Sequence, residues 1–373
     1  MELCQVCDAG NGNAFKKGSA CHICSGKAEQ TDRMAKEAAG LLKNEDASSF
    51  SISTMIPKDW LKNEEDVWDI RMGDGRSIKD WLNKTISAFL ERETGLPYRN
   101  DGDCRAVFDY ENGMVSIERN EIFIFGRYLK LAAGLSQSRW RCARCDGKGC
   151  PHCKEKGKMY ESVEERIGEP FKKALDADEY TMHASGREDV DATNTAGRAF
   201  VLEIKNPKKR KIDLGAIAND IALGVGKGKE VEVIDLAFVA RPFVELVTES
   251  HFDKEYEADV EFGRGIEEKD AEKMRSIAGK TLLQQTPTRV AHRRADLVRS
   301  RKVKKVEILG IEGKTARLRI KAEAGTYIKE LISGDQGRTK PSIAEILETS
   351  AVCKKLVVTE IDDGFLDFVM RTG

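Results

Sequence analysis

Apolar side chains at Ile78, Trp81, Leu82, Ile86 and Leu90 recur at three- and four-residue intervals, so residues 78–93 read as an amphipathic helix with one buried face. A second helical stretch, rich in Lys, Glu and Ala, runs from 27 to about 45 and ends near Asn-Glu-Asp-Ala-Ser-Ser. Alternation at 49–53 and 115–118 has the period of half-buried strands, which makes this first part α+β in pattern. Beyond residue 157 the chain turns strand-rich. Segments 198–204, 231–239, 303–309, 316–322 and 351–358 read as strands and predict a sizeable, mainly antiparallel sheet. Residues 214–223 have helical spacing and end on Gly224-Val225-Gly226-Lys227-Gly228. That cluster follows a helix and precedes a strand, so it reads as a helix stop rather than a nucleotide loop.

A length of 373 residues exceeds one ordinary compact core and predicts two or three domains. Hydrophobic residues at 40%, charged residues at 34% and only 8 Pro predict globular domains rather than disordered tracts. The chain has no apolar run of about 18 residues, and Met1-Glu2-Leu3-Cys4 lacks the basic and apolar regions of a secretory signal. A cytoplasmic protein with no membrane association is expected, and nothing implies an obligate protein partner. The net charge of -1 means that any nucleic-acid binding must come from local clusters. Two such clusters exist: residues 205–211 carry five basic side chains, and 289–305 carry eight against one Asp, including Arg289, Arg293 and Arg294. Phosphate contact or a solvated face would account for either.

Eight of the ten cysteines form Cys-x-x-Cys pairs in two groups: Cys4, Cys7, Cys21 and Cys24, then Cys142, Cys145, Cys150 and Cys153. A two-residue gap lets both thiolates turn toward one ion, and two such pairs complete a tetrahedral sulfur-four site. Structural zinc is the expectation for each group, with iron-sulfur ligation and dithiol redox chemistry as the competing uses. Such closed sites brace structure and leave no coordination position for chemistry. The sequence Gly149-Cys150-Pro151-His152-Cys153 lacks the Pro-Cys-x-x-Cys order of zinc deaminases. Neither a Walker loop nor a dinucleotide fingerprint occurs, which leaves ATP-dependent thiolation and Rossmann methyl transfer without a motif.

Three further stretches carry candidate chemistry. Gly186-Arg187-Glu188-Asp189-Val190-Asp191 sets a carboxylate beside an arginine in a glycine-led turn. Downstream come Lys254-Glu255-Tyr256-Glu257-Ala258 and Glu323-Ala324-Gly325-Thr326-Tyr327-Ile328-Lys329. With Gln285-Thr286-Pro287-Thr288-Arg289-Val290-Ala291-His292-Arg293-Arg294-Ala295-Asp296 and Gly334-Asp335-Gln336-Gly337-Arg338-Thr339, they make residues 120–350 resemble the tenth pseudouridine synthase family. That family modifies archaeal tRNA at T-arm uridines 54 and 55. The resemblance implies that Asp189, with Asp191 as runner-up, attacks the sugar or abstracts its proton. It implies that Tyr256 stacks on the flipped base and serves in the later deprotonation at carbon five, and that Lys329 and Arg187 pair with the carboxylate. Tyr327 would wall the pocket, while Arg289, Arg293 and Arg294 would contact RNA. No redox or nucleotide cofactor is implied. Segment 120–130 also resembles the end of a THUMP domain, an RNA-binding module, with Arg127 and Lys130 either facing RNA or lying at a domain seam.

The chain departs from the family where an arginine usually follows the aspartate loop; Thr193 stands there instead. Glu255 and Glu257 flank Tyr256 where the family tends toward Thr and Arg, which predicts weaker phosphate contact nearby. The expectation is therefore an α+β, multi-domain tRNA pseudouridine synthase: residues 1–45 a zinc module and helix, 46–140 a THUMP-like RNA-binding domain, 141–160 a second zinc knuckle, and 161–373 a catalytic domain on a mainly antiparallel sheet. The alternative is a non-catalytic zinc-bearing RNA-binding protein or tRNA chaperone derived from such an enzyme.

Overall fold

A computed structural model describes residues 1–18, 20–70, 77–224, 229–291 and 295–372; Arg293, Arg294 and the glycine cluster beyond Gly224 lie outside these. The chain forms two compact units: Met1–Ile122 with Lys172–Tyr180 and Ile204–Ile212, and Phe123–Phe171 with Thr181–Glu203 and Asp213–Gly373.

In the first unit, helices Thr31–Leu42 and Ile78–Thr94 cover a sheet of Phe50–Met55, Cys104–Asp109 and Met114–Arg119. The first pair runs parallel and the second antiparallel. Ile78, Leu82, Ile86 and Leu90 are buried, and Gly95 at φ 74° closes the helix in a conformation that glycine adopts without a Cβ penalty. Helix Lys58–Ile70 is not foreshadowed by any hydrophobic period. It buries only Trp60, Glu64 and Val67, too few apolar positions to announce a periodic face. Trp60 packs on Tyr110 with ring centroids 5.4 Å apart. Within the basic run 205–211, Arg210 is spent internally, pairing with Asp103 at 3.1 Å and donating to the Asn120 carbonyl at 2.9 Å. Lys208, Lys209 and Lys211 are exposed.

The second unit is built on a mixed sheet of ten strands among the described residues. Its order is Thr339–Lys340, Thr281–Gln285, Val298–Glu312, Thr315–Ala322, Lys254–Phe262, Ala351–Ile361, Thr193–Lys205, Ile122–Lys130 and Val231–Val239, with Glu179–Ala184 pairing beside Thr193–Lys205. The pairing is antiparallel as expected through most of the sheet, but Ala351–Ile361 meets Thr193–Lys205 in parallel at Val357 and Val358.

Ile122–Lys130, expected within the THUMP-like segment 46–140, pairs antiparallel with Val231–Val239, from Phe123 opposite Val239 to Lys130 opposite Val231. Its run Ile122-Phe123-Ile124-Phe125 lacks polar alternation because a strand inside a covered sheet is apolar toward both faces. The first unit accordingly ends near 122 rather than 140, and residues 141–160 belong to the second unit.

Strict alternation on Lys254–Phe262 sends Tyr256, Ala258, Val260 and Phe262 to one buried face, opposite Ile320, Leu318 and Ala316. Helices Glu268–Arg275, Ile328–Ser333 and Ile343–Leu347 contribute Met274, Leu331, Ile332 and Leu347 to the same core. Glu255 and Glu257 therefore project to the other face, where Arg319 pairs with both, at 3.5 and 2.8 Å. This corrects the expectation that they repel phosphate beside Tyr256: pleating turns them to the opposite face, where an arginine offsets part of their charge.

Candidate active site

The Asp189 loop is fixed from below by three neighbouring residues. Lys130, fully buried, donates from Nζ to the carbonyls of Asp189 at 2.9 Å and Val190 at 3.0 Å. Gln137 Nε2 donates to the Gly186 carbonyl at 2.8 Å, and the Gly134 amide donates to the Val190 carbonyl at 2.8 Å. Gly186 takes φ 79°, which lets the chain turn out of strand Glu179–Ala184. Beneath the loop, Glu188 and Arg198 form an ion pair at 2.7 Å with side chains 2% and 1% exposed. The Tyr128 hydroxyl meets both Glu188 oxygens at 2.8 and 2.9 Å, and burial first, then the Glu188 charge, pushes its pKa well above the usual phenol value. It stays protonated and donates.

With the backbone pinned, the Asp189 carboxylate is turned outward, its side chain 32% exposed. Arg289 Nη1 reaches Asp189 Oδ1 at 2.6 Å while its Nε reaches Glu330 Oε1 at 2.6 Å. Burial of this guanidinium disfavours its charge, but Glu330 and Asp189 more than reverse that and hold it firmly protonated. Lys329 Nζ lies 3.4 Å from Asp189 and closer, 2.6 Å, to Asp191. Although burial opposes ionisation of Asp191, Lys329 holds its carboxyl below the ordinary value. The Arg289 guanidinium stands 6.0 Å from the Tyr327 ring centroid, and Gln284 clamps the Tyr327 backbone by bonds of 3.0 and 2.9 Å. Tyr256 is buried, and that burial pushes its phenol up to about 12.

The fold thus brings Asp189, Lys329, Arg289, Tyr327 and Asp191 together, with Tyr256 within electrostatic reach of Asp189. It does not bring Arg187 to the carboxylate: that side chain is exposed and has no partner among the described residues. Arg127 and Lys130, expected either to face RNA or to lie at a domain seam, are both buried. Arg127 is buried among Asp363 at 3.1 Å, Asp235 at 2.9 Å and Asp367 at 2.6 Å, and Lys130 holds the aspartate loop. Arg293 and Arg294 lie outside the described residues. Sequence reasoning missed Glu330, Gln284, Gln137 and Arg198, none of which has a local signature. Glu330, directly after Lys329 in the chain, was the one within reach.

Comparison with known proteins bears on this arrangement. The profile of the Pus10 C-terminal region matches residues 123–362. The chain belongs to the Pus10 family. A relative from Methanothrix thermoacetophila named tRNA pseudouridine synthase Pus10 is 38% identical over 91% of this chain and 76% of its own length. One of the same name from Archaeoglobus fulgidus is 35% identical over 97% of this chain and all of the relative. A crystal structure of a Cbf5-Nop10-Gar1 complex aligns over 51% of this chain and 43% of that one, at 24% identity and TM-score 0.32. Membership of the Pus10 family makes this an enzyme of the isomerase class, a pseudouridine synthase. The Pus10 match contains Asp189, Tyr256, Arg289, Tyr327 and Lys329 together with the second cysteine cluster; the first cluster precedes it.

The sulfurs of Cys4, Cys7, Cys21 and Cys24, and those of Cys142, Cys145, Cys150 and Cys153, each gather within 4.8 Å of one another. Separations of 3.6 Å for Cys4 and Cys24, 3.9 Å for Cys142 and Cys150, and 3.8 Å for Cys145 and Cys153 match the roughly 3.8 Å edge of a tetrahedron with metal-sulfur bonds of about 2.3 Å. Both donor sets fit a metal ion. Among the described residues no helix is long and apolar enough to cross a membrane.

Lys254 adds a pH response near the site. It is buried, donates to the Phe252 carbonyl at 2.8 Å, and burial followed by the Arg198 charge lowers its pKa to about 8. The folded chain therefore holds fewer protons than the unfolded chain between about pH 8 and 10.5, and stability rises across that window by up to about 3 kcal/mol. Urea unfolding at both ends of the window should show this rise, and Lys254→Met should flatten it.

Proposed function

We propose that this protein isomerises uridine 54, uridine 55 or both in the T arm of tRNA, using Asp189 and no redox or nucleotide cofactor. The observation that carries the reading is an outward-facing carboxylate held by Arg289 and Lys329, with the Tyr327 ring against Arg289 and Tyr256 within electrostatic reach. Isomerisation breaks the bond between N1 and the sugar, turns the base and joins carbon five to the same sugar carbon. The carbon-five proton leaves and N1 gains one, so no electron acceptor is required. A carboxylate attacks the sugar or takes its proton, and the two cations beside it fix its position. Such a site reaches its target only if the nucleotide is flipped out of the stack. Tyr256, protonated below about pH 12, offers a ring face to the base; as a neutral phenol it is a poor proton acceptor.

Arg289 supplies beside Asp189 a cation that the loop itself lacks with Thr193 in place of the family arginine, which favours an active enzyme over a disabled RNA-binding derivative. The two cysteine clusters would hold zinc, bracing the chain locally. The first unit would grip tRNA in the manner of a THUMP domain, with the exposed Lys209 and Lys211 meeting phosphates. The setting would be cytoplasmic, with no membrane and no obligate protein partner.

The test is tritium release from carbon-five-labelled uridine in an unmodified tRNA transcript, with purified protein and no added cofactor. Release that disappears when the T-arm uridines are replaced by cytidine is expected. Absence of release despite tight tRNA binding would overturn the reading.

A further inference from the structure

The second cysteine cluster has surface chemistry that a structural brace does not need. The module closes on itself through the Met159 amide donating to the Trp140 carbonyl at 3.0 Å and the Cys142 amide donating to the Gly157 carbonyl at 2.9 Å. A Cβ at Gly157 would collide with the Gly147 carbonyl, so the turns are packed as tightly as backbone allows. Arg141, Arg144, Lys148, Lys154 and Lys156 are exposed and make no ion pair among the described residues, against two acids, Asp146 and Glu155. At the root of the module, by contrast, Arg139 pairs with Glu164 at 3.2 Å, and Lys158 pairs with Glu161 and Glu165 at 2.9 and 2.8 Å. Cations are neutralised at the root and left open beyond it.

Aromatic rings accompany this charge. Trp140 and Tyr160 sit with centroids 5.3 Å apart and planes at 49°, and Tyr160 is 39% exposed. An exposed tyrosine ring packed on a half-buried tryptophan, beside open cations, fits a particular ligand: an unpaired nucleotide, whose base stacks on the ring while flanking phosphates meet the cations. A duplex, with its bases already stacked, would use the charge and not the rings.

The module is also placed for the substrate. It springs from Gln137, which donates to the Gly186 carbonyl at the start of the Asp189 loop. Five extended residues from Gln137 to Cys142 span no more than about 18 Å, which ties the base of the knuckle to the start of the Asp189 loop.

We propose that the knuckle of residues 140–160 is a contact surface for unpaired loop nucleotides of the RNA substrate, with Tyr160 and Trp140 as the stacking platform and Arg141, Arg144 and Lys148 among its phosphate contacts. The inference rests on the proposed RNA-modifying function. The rival use of the cations is to balance the metal centre, since four thiolates on a divalent ion carry a formal charge of -2. The amides of Cys150 and Gly157, aimed at Cys153 Sγ at 3.3 and 3.2 Å, already address that charge from inside.

The experiment uses the full, metal-loaded chain and two RNA probes: an unmodified T-arm hairpin and a blunt duplex of the same stem. Affinities are measured across a salt series, with metal content determined for each variant. The triple variant Arg141→Gln, Arg144→Gln, Lys148→Gln should weaken hairpin binding and flatten the dependence of log affinity on log salt by about 0.7 for each phosphate no longer neutralised. Tyr160→Ala should weaken hairpin binding roughly 5- to 150-fold, the equivalent of about 1–3 kcal/mol per stacked base, while leaving duplex binding alone. Tyr160→Phe should restore it. Wild-type affinity and salt slope in the triple variant, with both metals retained, would overturn the proposal and assign the cations to charge balance. Equal losses on hairpin and duplex from Tyr160→Ala would overturn the stacking. Failure of the synthase reading is distinguishable, because it appears as binding without tritium release by the unaltered chain.

Discussion

Asp189→Asn lowers the rate of tritium release by at least about 1000-fold, the order expected when the group that makes or breaks the covalent bond is removed. The substitution keeps the shape of the side chain and both backbone anchors, since Lys130 and Gln137 hold carbonyls of the loop and not its carboxylate. Binding of tRNA should therefore stay within a few-fold of wild type, placing the loss in turnover. Asp191→Asn is the internal control. Its carboxylate pairs with Lys329 at 2.6 Å but lies on the more exposed side of that lysine, at 72% exposure, so its loss should cost only about 10-fold by letting Lys329 drift. The comparison is made by single-turnover tritium release on a saturating transcript. A loss at Asp191 equal to or larger than that at Asp189 would transfer the catalytic role to Asp191.

Glu188→Ala destabilises the second unit by about 3–5 kcal/mol, because it leaves the Arg198 guanidinium charged, buried and without its carboxylate. For a unit of this size the loss corresponds to a fall in Tm of about 6–20 °C. The Tyr128 hydroxyl loses its acceptor in the same step, and with Gln137 donating to it at 2.9 Å there is no second acceptor to take over. Arg198→Met in the Glu188→Ala background removes the stranded charge and should return most of the lost stability, since a buried ion pair replaced by apolar side chains is often near neutral. Thermal and urea unfolding of the single and double variants decide the matter. A double variant no more stable than Glu188→Ala would show that the unpaired charge is not the cause. Glu188 and Asp189 are consecutive yet do opposite work, because one side chain is turned down into the core and the next out toward solvent.

The sequence alone announced the helix at Ile78–Thr94, the strands at Val231–Val239, Thr315–Ala322 and Ala351–Ile361, and the two cysteine groupings. Each is encoded locally: periodicity needs only a dozen neighbouring residues, and a metal knuckle needs only its Cys-x-x-Cys spacing. The aspartate, tyrosine and lysine motifs were also legible, because each is a short ordered string. Reading failed where partners are distant in the chain. Lys130 could be read as an RNA-facing cation or a seam residue until the sheet carried Asp189, 59 residues on, over its ammonium group. Arg127 looked the same until Asp363 and Asp367 arrived from more than 200 residues away. Glu255 and Glu257 looked hostile to phosphate until strand pleating turned them from Tyr256 toward Arg319.

What the sequence determined by itself was therefore the inventory: a carboxylate loop, a ring, a set of cations and two four-thiolate sites, joined by elements whose types follow from local pattern. Only the tertiary structure decided which cation meets which carboxylate. Arg289 rather than Arg187 reaches Asp189, although Arg187 is two residues away and Arg289 is 100. The reason is physical: side-chain charge is carried by the residue, but pairing depends on direction and burial, and both are set by how strands far apart in the chain come to lie side by side.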